Sequence, residues 1–306
     1  MRKIMKSLKL CGARGRRYYV LALTLTLFCR GARADNANLE NIKALAEKGD
    51  AQGEYLLGKH FENGQGVERD VVKAAEQYRK AAEQGNAAAQ NNLGTLYVKG
   101  LGVLRDNSEA NKWYRRAAEQ ADALAEYNLG YSYDHGRAVA KDLKEAETWY
   151  RKAADQNLAE AQNRLGEMYF RGEGVARDYA EAQAWFRKAA DQNLASAENN
   201  LGVLYESALG VKLDAKEAAT WFLRAAEHGN RKAQLNAALM YRTGRGMERD
   251  MVKAYFWLTV CANAGDAVAS QMRNEIQNSP SALGGHEINE ANQLVEAYRA
   301  RHASAD

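Results

Sequence analysis

The amino-acid sequence predicts an all-α protein, a solenoid of antiparallel helix pairs. Three observations predict it. An aspartate recurs every 36 residues, at Asp70, Asp106, Asp142, Asp178, Asp214 and Asp250. All five tryptophans (Trp113, Trp149, Trp185, Trp221, Trp257) keep that step, as do Phe61, Tyr97, Tyr133, Tyr169, Tyr205 and Tyr241. A single proline in 306 residues suits a chain that is helical nearly throughout. A period of this size marks stacked supersecondary units in place of one globular core.

Residues 1–34 read as a secretory signal. A cationic stretch precedes the apolar run Tyr18 to Phe28, and Ala32-Arg33-Ala34 supplies a cleavage site before Asp35. The run is too short to cross a bilayer as a helix, which takes about 20 residues, so no stable membrane span is expected after cleavage. Arg16-Arg17 loosely resembles a twin-arginine signal. The leader also explains the formal charge of +4: it holds nine of the 43 basic residues and no acid, which leaves 34 against 39 acidic ones. The basic excess is therefore no sign of nucleic-acid binding. Residues 35–48 read as an N-terminal capping helix, residues 49–266 as six repeats, and residues 267–306 as a C-terminal capping region. The repeats span 49–84, 85–120, 121–156, 157–192, 193–228 and 229–264.

Within the second repeat the first helix is expected over Ala87–Lys99, where Ala89, Leu93 and Tyr97 form an apolar stripe. Gly94 lies inside it, where glycine costs about 1 kcal/mol relative to alanine; close approach of the partner helix is the physical reason to keep it. A G-x-G-V loop follows (Gly100-Leu101-Gly102-Val103), with neither the preceding strand nor the Lys-Ser/Thr of a nucleotide site. The periodic aspartate then caps the second helix, expected over Ser108–Gln120, with Asp106/Glu109, Asp142/Glu145, Asp178/Glu181 and Asp214/Glu217 as capping boxes. Ala110, Trp113, Tyr114, Ala117 and Ala118 form its buried side. The return turn is Gly85-Asn86 or Gly229-Asn230, and becomes Asn157-Leu158 or Asn193-Leu194, because asparagine is the next best residue for a left-handed stop. Beyond the repeats, an irregular helix to Asn278, a loop over residues 279–286 and an amphipathic helix on Ile288, Ala291, Leu294 and Tyr298 are expected, with a frayed tail from Arg301.

The pattern A-x-x-N-L-G-x-x-Y-x-x-G-x-G-V-x-x-D…A-x-x-W-Y-x-x-A-A-x-x-G resembles the Sel-one-like repeat (SLR) family of tetratricopeptide-like α-solenoids, over Gly49–Asp266. The resemblance implies a right-handed superhelix whose concave side is lined by the first helices, and a role as an adaptor for other proteins. It places the protein in the periplasm or outside a bacterial cell, where a secreted virulence factor binding a host protein is a further reading. Cysteine-rich relatives imply a hydrolase acting on cell-wall or β-lactam compounds. This chain has neither their cysteines nor a Ser-x-x-Lys motif; past the leader it keeps only Cys261. No catalytic residue, metal ligand or cofactor is expected: the five histidines show no close ligand pair, and capping accounts for the aspartates.

Comparing the repeats with one another isolates one polar column without a core role: Asn92, Asn128, Arg164, Asn200 and Asn236. It lies at the edge of the apolar stripe, a position that lines the concave groove in tetratricopeptide-like proteins. An asparagine amide there can both donate to and accept from an extended peptide backbone. Two flanking columns differ between repeats and are the expected source of specificity. They include Thr95, Tyr131 and Glu167 in one and Lys99, His135 and Arg171 in the other. The expected partner is a protein or an extended peptide.

Overall fold

The computed structural model describes residues 38–279 and 283–303, and the 1–34 leader lies outside them. Among the described residues there are helices, turns and loops, and no strand. A first helix, α1, covers residues 38–47. Six hairpins follow: α2 (Ala51–Asn63) with α3 (Val71–Glu83), α4 (Ala87–Lys99) with α5 (Asn107–Ala118), and α6 (Ala123–His135) with α7 (Leu143–Asp155). Then come α8 (Ala159–Arg171) with α9 (Tyr179–Ala190), α10 (Ala195–Ser207) with α11 (Ala215–Glu227), and α12 (Arg231–Thr243) with α13 (Met251–Asn263). The chain closes with α14 (Ala267–Asn278) and α15 (Gly285–His302). It divides after Asp122 into two compact units, the first holding α1 to α5 and the second α6 to α15.

Each hairpin is closed by its aspartate, which acts twice. Its carboxylate caps the second helix: Asp178 Oδ1 accepts from the backbone N–H groups of Ala180 at 2.9 Å and Glu181 at 3.0 Å. Its own N–H donates to the carbonyl of the periodic aromatic residue near the end of the first helix, Asp178 to Tyr169 at 3.0 Å. The same bond joins Asp70 to Phe61, Asp106 to Tyr97, Asp142 to Tyr133, Asp214 to Tyr205 and Asp250 to Tyr241. This second bond corrects the expected capping boxes. In a capping box the glutamate reaches back to the N-cap N–H, but that N–H is already engaged. Glu145, Glu181 and Glu217 instead accept from the indole N–H of Trp149, Trp185 and Trp221 at 2.8, 2.8 and 2.9 Å, and Glu109 pairs with Lys112.

The interior of each hairpin is narrow because alanines line it, with one glycine in the first five and Ala238 in the sixth. A Cβ on Gly94 would come within 2.7 Å of the Tyr114 ring, so the helices touch at that point, as the sequence leads one to expect. Tyr78 and Tyr150 are fully buried, and the tryptophans pack with the hairpin before their own: Trp113 closes the core around Leu93 and Tyr78 in the first unit, and Trp221 that around Leu201 and Phe186 in the second. The second glycine of the G-x-G loop rests on the hairpin before it; a Cβ on Gly174 would lie 2.5 Å from the Leu143 carbonyl oxygen. Where the first glycine is missing, Ala208 is forced to φ +55°.

A buried polar column escaped the sequence reading. Position four of each first helix is polar and buried (Glu54, Gln90, Glu126, Gln162, Glu198, Gln234). It is met by a residue 30 positions later at the end of the second helix: Gln84 to Glu54 at 2.6 Å, Gln120 to Gln90 at 2.8 Å, Gln156 to Glu126 at 2.8 Å and Gln192 to Gln162 at 2.9 Å. In the fifth hairpin His228 Nδ1 takes this role, 2.7 Å from Glu198. Burial holds the Glu54 carboxyl above its usual range, against the pull of Lys80 and the Gln84 bond.

The C-terminal cap departs from expectation in three places. The last helix begins at Gly285, so the loop is shorter. Val295, not Leu294, joins Ala291 and Tyr298 in the core, and Leu294 is 37% exposed. The tail does not fray at Arg301: the His302 ring stacks on Tyr298, and its two nitrogens meet the carbonyls of Tyr298 at 2.7 Å and Glu227 at 2.8 Å.

Two substitutions test the hairpin closure by urea denaturation. Asp178→Ala removes the cap and lowers stability by about 1 kcal/mol. Ala208→Gly relieves the left-handed alanine and raises stability by about 0.5–1 kcal/mol, the strain removed exceeding the entropy added.

Candidate interaction groove

The first helices position the candidate columns because their apolar stripe faces the second helices and leaves the columns at its border. Asn92, Asn128, Arg164, Asn200 and Asn236 are all half-buried there. In the first unit Asn92 Oδ1 accepts from Asn91 at 3.4 Å, with Thr95 half-buried and Lys99 exposed on the same helix. In the second unit Asn200 donates to Asn163 at 3.1 Å and Asn236 to Asn199 at 3.5 Å, tying each first helix to the one before it. A side-chain amide has two donors and a carbonyl oxygen, so each of these two keeps hydrogen-bonding capacity beyond that tie.

Five of the predicted residues converge. Tyr131, His135, Arg164, Glu167 and Arg171 line one cleft of about 590 Å³ between α6 and α8, floored by Tyr127 and Tyr150. Arg164 is its anchor. Its guanidinium lies 2.8 Å from Asp134, 2.9 Å from Glu173 and 3.3 Å from Glu167. Asp134 also accepts from the Tyr150 hydroxyl at 3.2 Å. Burial pushes the Asp134 carboxyl up, but the Arg164 hydrogen bond and charge outweigh it and hold the carboxyl below its ordinary range. At the rim the His135 ring stacks on Tyr131 with centroids 3.9 Å apart, and Arg137 lies 4.6 Å over the same tyrosine.

The cleft can hold a mixed partner. Lys141, Arg164 and Arg171 among its walls are matched by Asp134, Glu167 and Glu173, so the lining is near neutrality and does not suit a polyanion. Tyrosine faces beside paired charges suit a peptide carrying apolar and polar side chains. Asn236 lies apart, in a smaller cleft of about 330 Å³ with Glu206, Leu239 and Arg245. Asp134, Glu173 and Arg137 were missed by the sequence reading. Their columns vary from repeat to repeat, and periodicity identifies only what recurs. One signal was available: an acid at the position of Asp134 or Glu62 coincides with a tyrosine 16 residues later, and Tyr78 donates to Glu62 at 2.6 Å. Cys261 is 2% exposed, and burial pushes its thiol up to about 12. No group of three or more metal-ligating side chains is assembled among the described residues.

Helix hairpins repeated at 36 residues and stacked through small residues define a tetratricopeptide-like solenoid, a class of protein-interaction scaffold. Sel1 repeats match residues 51–86, 87–122, 123–158, 159–194, 195–230 and 231–266. The chain belongs to the Sel1 repeat family, whose members generally mediate protein–protein interaction. Among solved structures it is similar to a protective antigen of uropathogenic Escherichia coli strains that displays an SLR fold, with a TM-score of 0.75 and 32% identity over 85% of this chain. The alignment covers 56% of that antigen's length. It is also similar to a Sel1 repeat protein from Oxalobacter formigenes, with a TM-score of 0.67 and 32% identity, over 74% of this chain and 99% of the other. No curated protein matches it closely.

The Asp134–Arg164 pair sets a pH-dependent test. With its folded value depressed, Asp134 contributes stability that is complete above its unfolded value of about 4 and lost as pH falls through the lower folded value. Asp134→Asn is therefore less stable than wild type at pH 7, and the gap closes in urea titrations run progressively below pH 4. Arg164→Ala at pH 7 strands the Asp134 charge and costs about 3 kcal/mol, the low end for a buried pair.

Proposed function

We propose that this protein is an exported, non-catalytic scaffold that holds an extended segment of a partner protein along its first helices. The observation that carries the reading is the convergence of Tyr131, His135, Arg164, Glu167 and Arg171 on one cleft. Arg164 and its three carboxylates keep the walls rigid, while the stacked Tyr131 and the exposed Arg171 offer the contact surface. Remaining amide capacity at Asn200 supports backbone hydrogen bonding beside it. The family role in protein interaction and the matched charges of the cleft both support a peptide over a nucleic acid.

Export rests on the leader, with its cationic start, short apolar run and A-x-A site. The likeness to a protective antigen favours a variant of the same reading, release from the cell to bind a host protein. Recovery from culture medium instead of the periplasmic fraction would select that variant.

Two experiments test the proposal. A photo-crosslinking residue at Tyr131 should give a discrete partner adduct in the native compartment, whereas one at the exposed Thr148 on α7 should not; Arg171→Glu should weaken the Tyr131 adduct. Equal adducts from both positions would remove the cleft as the working surface. Mass spectrometry of the exported protein should find Asp35 at its N-terminus, and an intact leader would overturn cleavage at that site.

A further inference from the structure

Around the sixth hairpin three side-chain patterns found in earlier hairpins are lost. First, an arginine of the second helix donates to the tyrosine of the next first helix: Arg79 to Tyr97 at 2.8 Å, Arg151 to Tyr169 at 2.6 Å and Arg187 to Tyr205 at 3.2 Å. Before Tyr241 that position is Leu223. Second, a glutamate four residues before the tryptophan accepts its indole N–H in the third, fourth and fifth hairpins. Before Trp257 that residue is Lys253. Third, a cation three residues after the tryptophan covers its ring, with Lys152 3.9 Å over Trp149 and Lys188 3.7 Å over Trp185. After Trp257 that residue is Val260.

Two of the changed positions, Leu223 and Lys253, line one half-open cavity of about 550 Å³ between α11, α13 and α15, with Tyr241 of α12 beside them. Its walls are apolar: Leu223, Phe256, Trp257, Leu294 and Ala297. Its polar edge carries Arg224, Lys253 and Arg301 against one acid, Glu227. These cations are 38%, 50% and 62% exposed, so each stands at the rim with a face toward solvent. Arg224 and Lys253 are tied to Glu198 and Asp250, which stand outside the cavity lining, and Arg301 to Glu227 at 3.4 Å. The Tyr241 hydroxyl has thus exchanged its arginine neighbour for an apolar wall, and burial raises its pKa against the pull of Lys253. A cavity of this volume, apolar inside with a few convergent polar groups at one edge, has the form of a small-molecule site.

We propose that this cavity binds a small aliphatic carboxylate, its chain lying between Leu223, Trp257 and Leu294 and its head meeting Lys253 and the guanidinium groups of the rim. A cationic head would meet three like charges, and a neutral one would forgo them. The site is separate from the α6–α8 cleft, and its test does not depend on that proposal.

The probe is decanoate, titrated into the full chain by calorimetry and tryptophan fluorescence. Saturable one-site binding is expected, about tenfold or more weaker with decylamine, and the Trp257→Phe variant should keep the heat while losing the fluorescence response. Leu223→Arg, which restores the residue of the earlier hairpins, should abolish binding with the helical signal retained. Should that variant not fold, Lys253→Glu should bind decanoate about fivefold more weakly, the effect of one rim charge. No saturable binding, equal binding of decylamine, binding retained in folded Leu223→Arg, or unchanged affinity in Lys253→Glu would each overturn the proposal.

Discussion

The structure depends on one residue used twice per repeat. A helix ending leaves carbonyls without partners, and a helix beginning leaves N–H groups without partners. The periodic aspartate satisfies one of the former with its backbone and, in all hairpins but the sixth, two of the latter with its side chain. Both ends of the loop are thereby fixed to one Cα, and the angle between the paired helices is set before any core side chain is chosen. The glutamate three residues on, released from capping, orients a tryptophan in three hairpins. The indole in turn packs against the neighbouring hairpin, so a capping interaction reaches the interface between repeats.

The small residues follow from that closure. Once the helices are held close, only small residues fit where they cross, and at Gly94 even a Cβ would come within 2.7 Å of the Tyr114 ring. The buried Glu/Gln column closes the other end of the hairpin. A polar group taken from water needs a partner, and the residue 30 positions later supplies it in five hairpins, with Tyr298 meeting Gln234 in the sixth. Apolar packing between these two polar ties holds the middle of each hairpin, and the repeats stack as a consequence.

Both proposed sites lie where the repeats differ. Arg164 replaces an amide in one hairpin and draws three carboxylates around it, and the cleft beside it gathers Tyr131 and Arg171. At the other end, Leu223 and Lys253 line a cavity beside Trp257, at positions where earlier hairpins carry an arginine and a glutamate. Both sites are departures from a pattern, set on a scaffold that the pattern makes rigid. In the proposed reading the common columns carry stability, and the exceptions carry recognition.

Much of this was legible without coordinates. The 36-residue step of aspartate, tryptophan and tyrosine implied paired helices, their boundaries to within a residue or two and the close approach at Gly94, because each depends on local geometry repeated along the chain. Which groups pair across sequence distance was not legible. Glu54 with Gln84, Arg164 with Asp134, and His302 with the Glu227 carbonyl each join residues 30 or more positions apart. No local period marks these pairings as bonds, because the partners become neighbours only when helices from different parts of the chain are laid side by side. For the same reason the tail at His302 and the cavity beside Leu294 were decided by packing: a side chain's surroundings belong to the folded arrangement, and its own helix specifies only the direction in which it leaves.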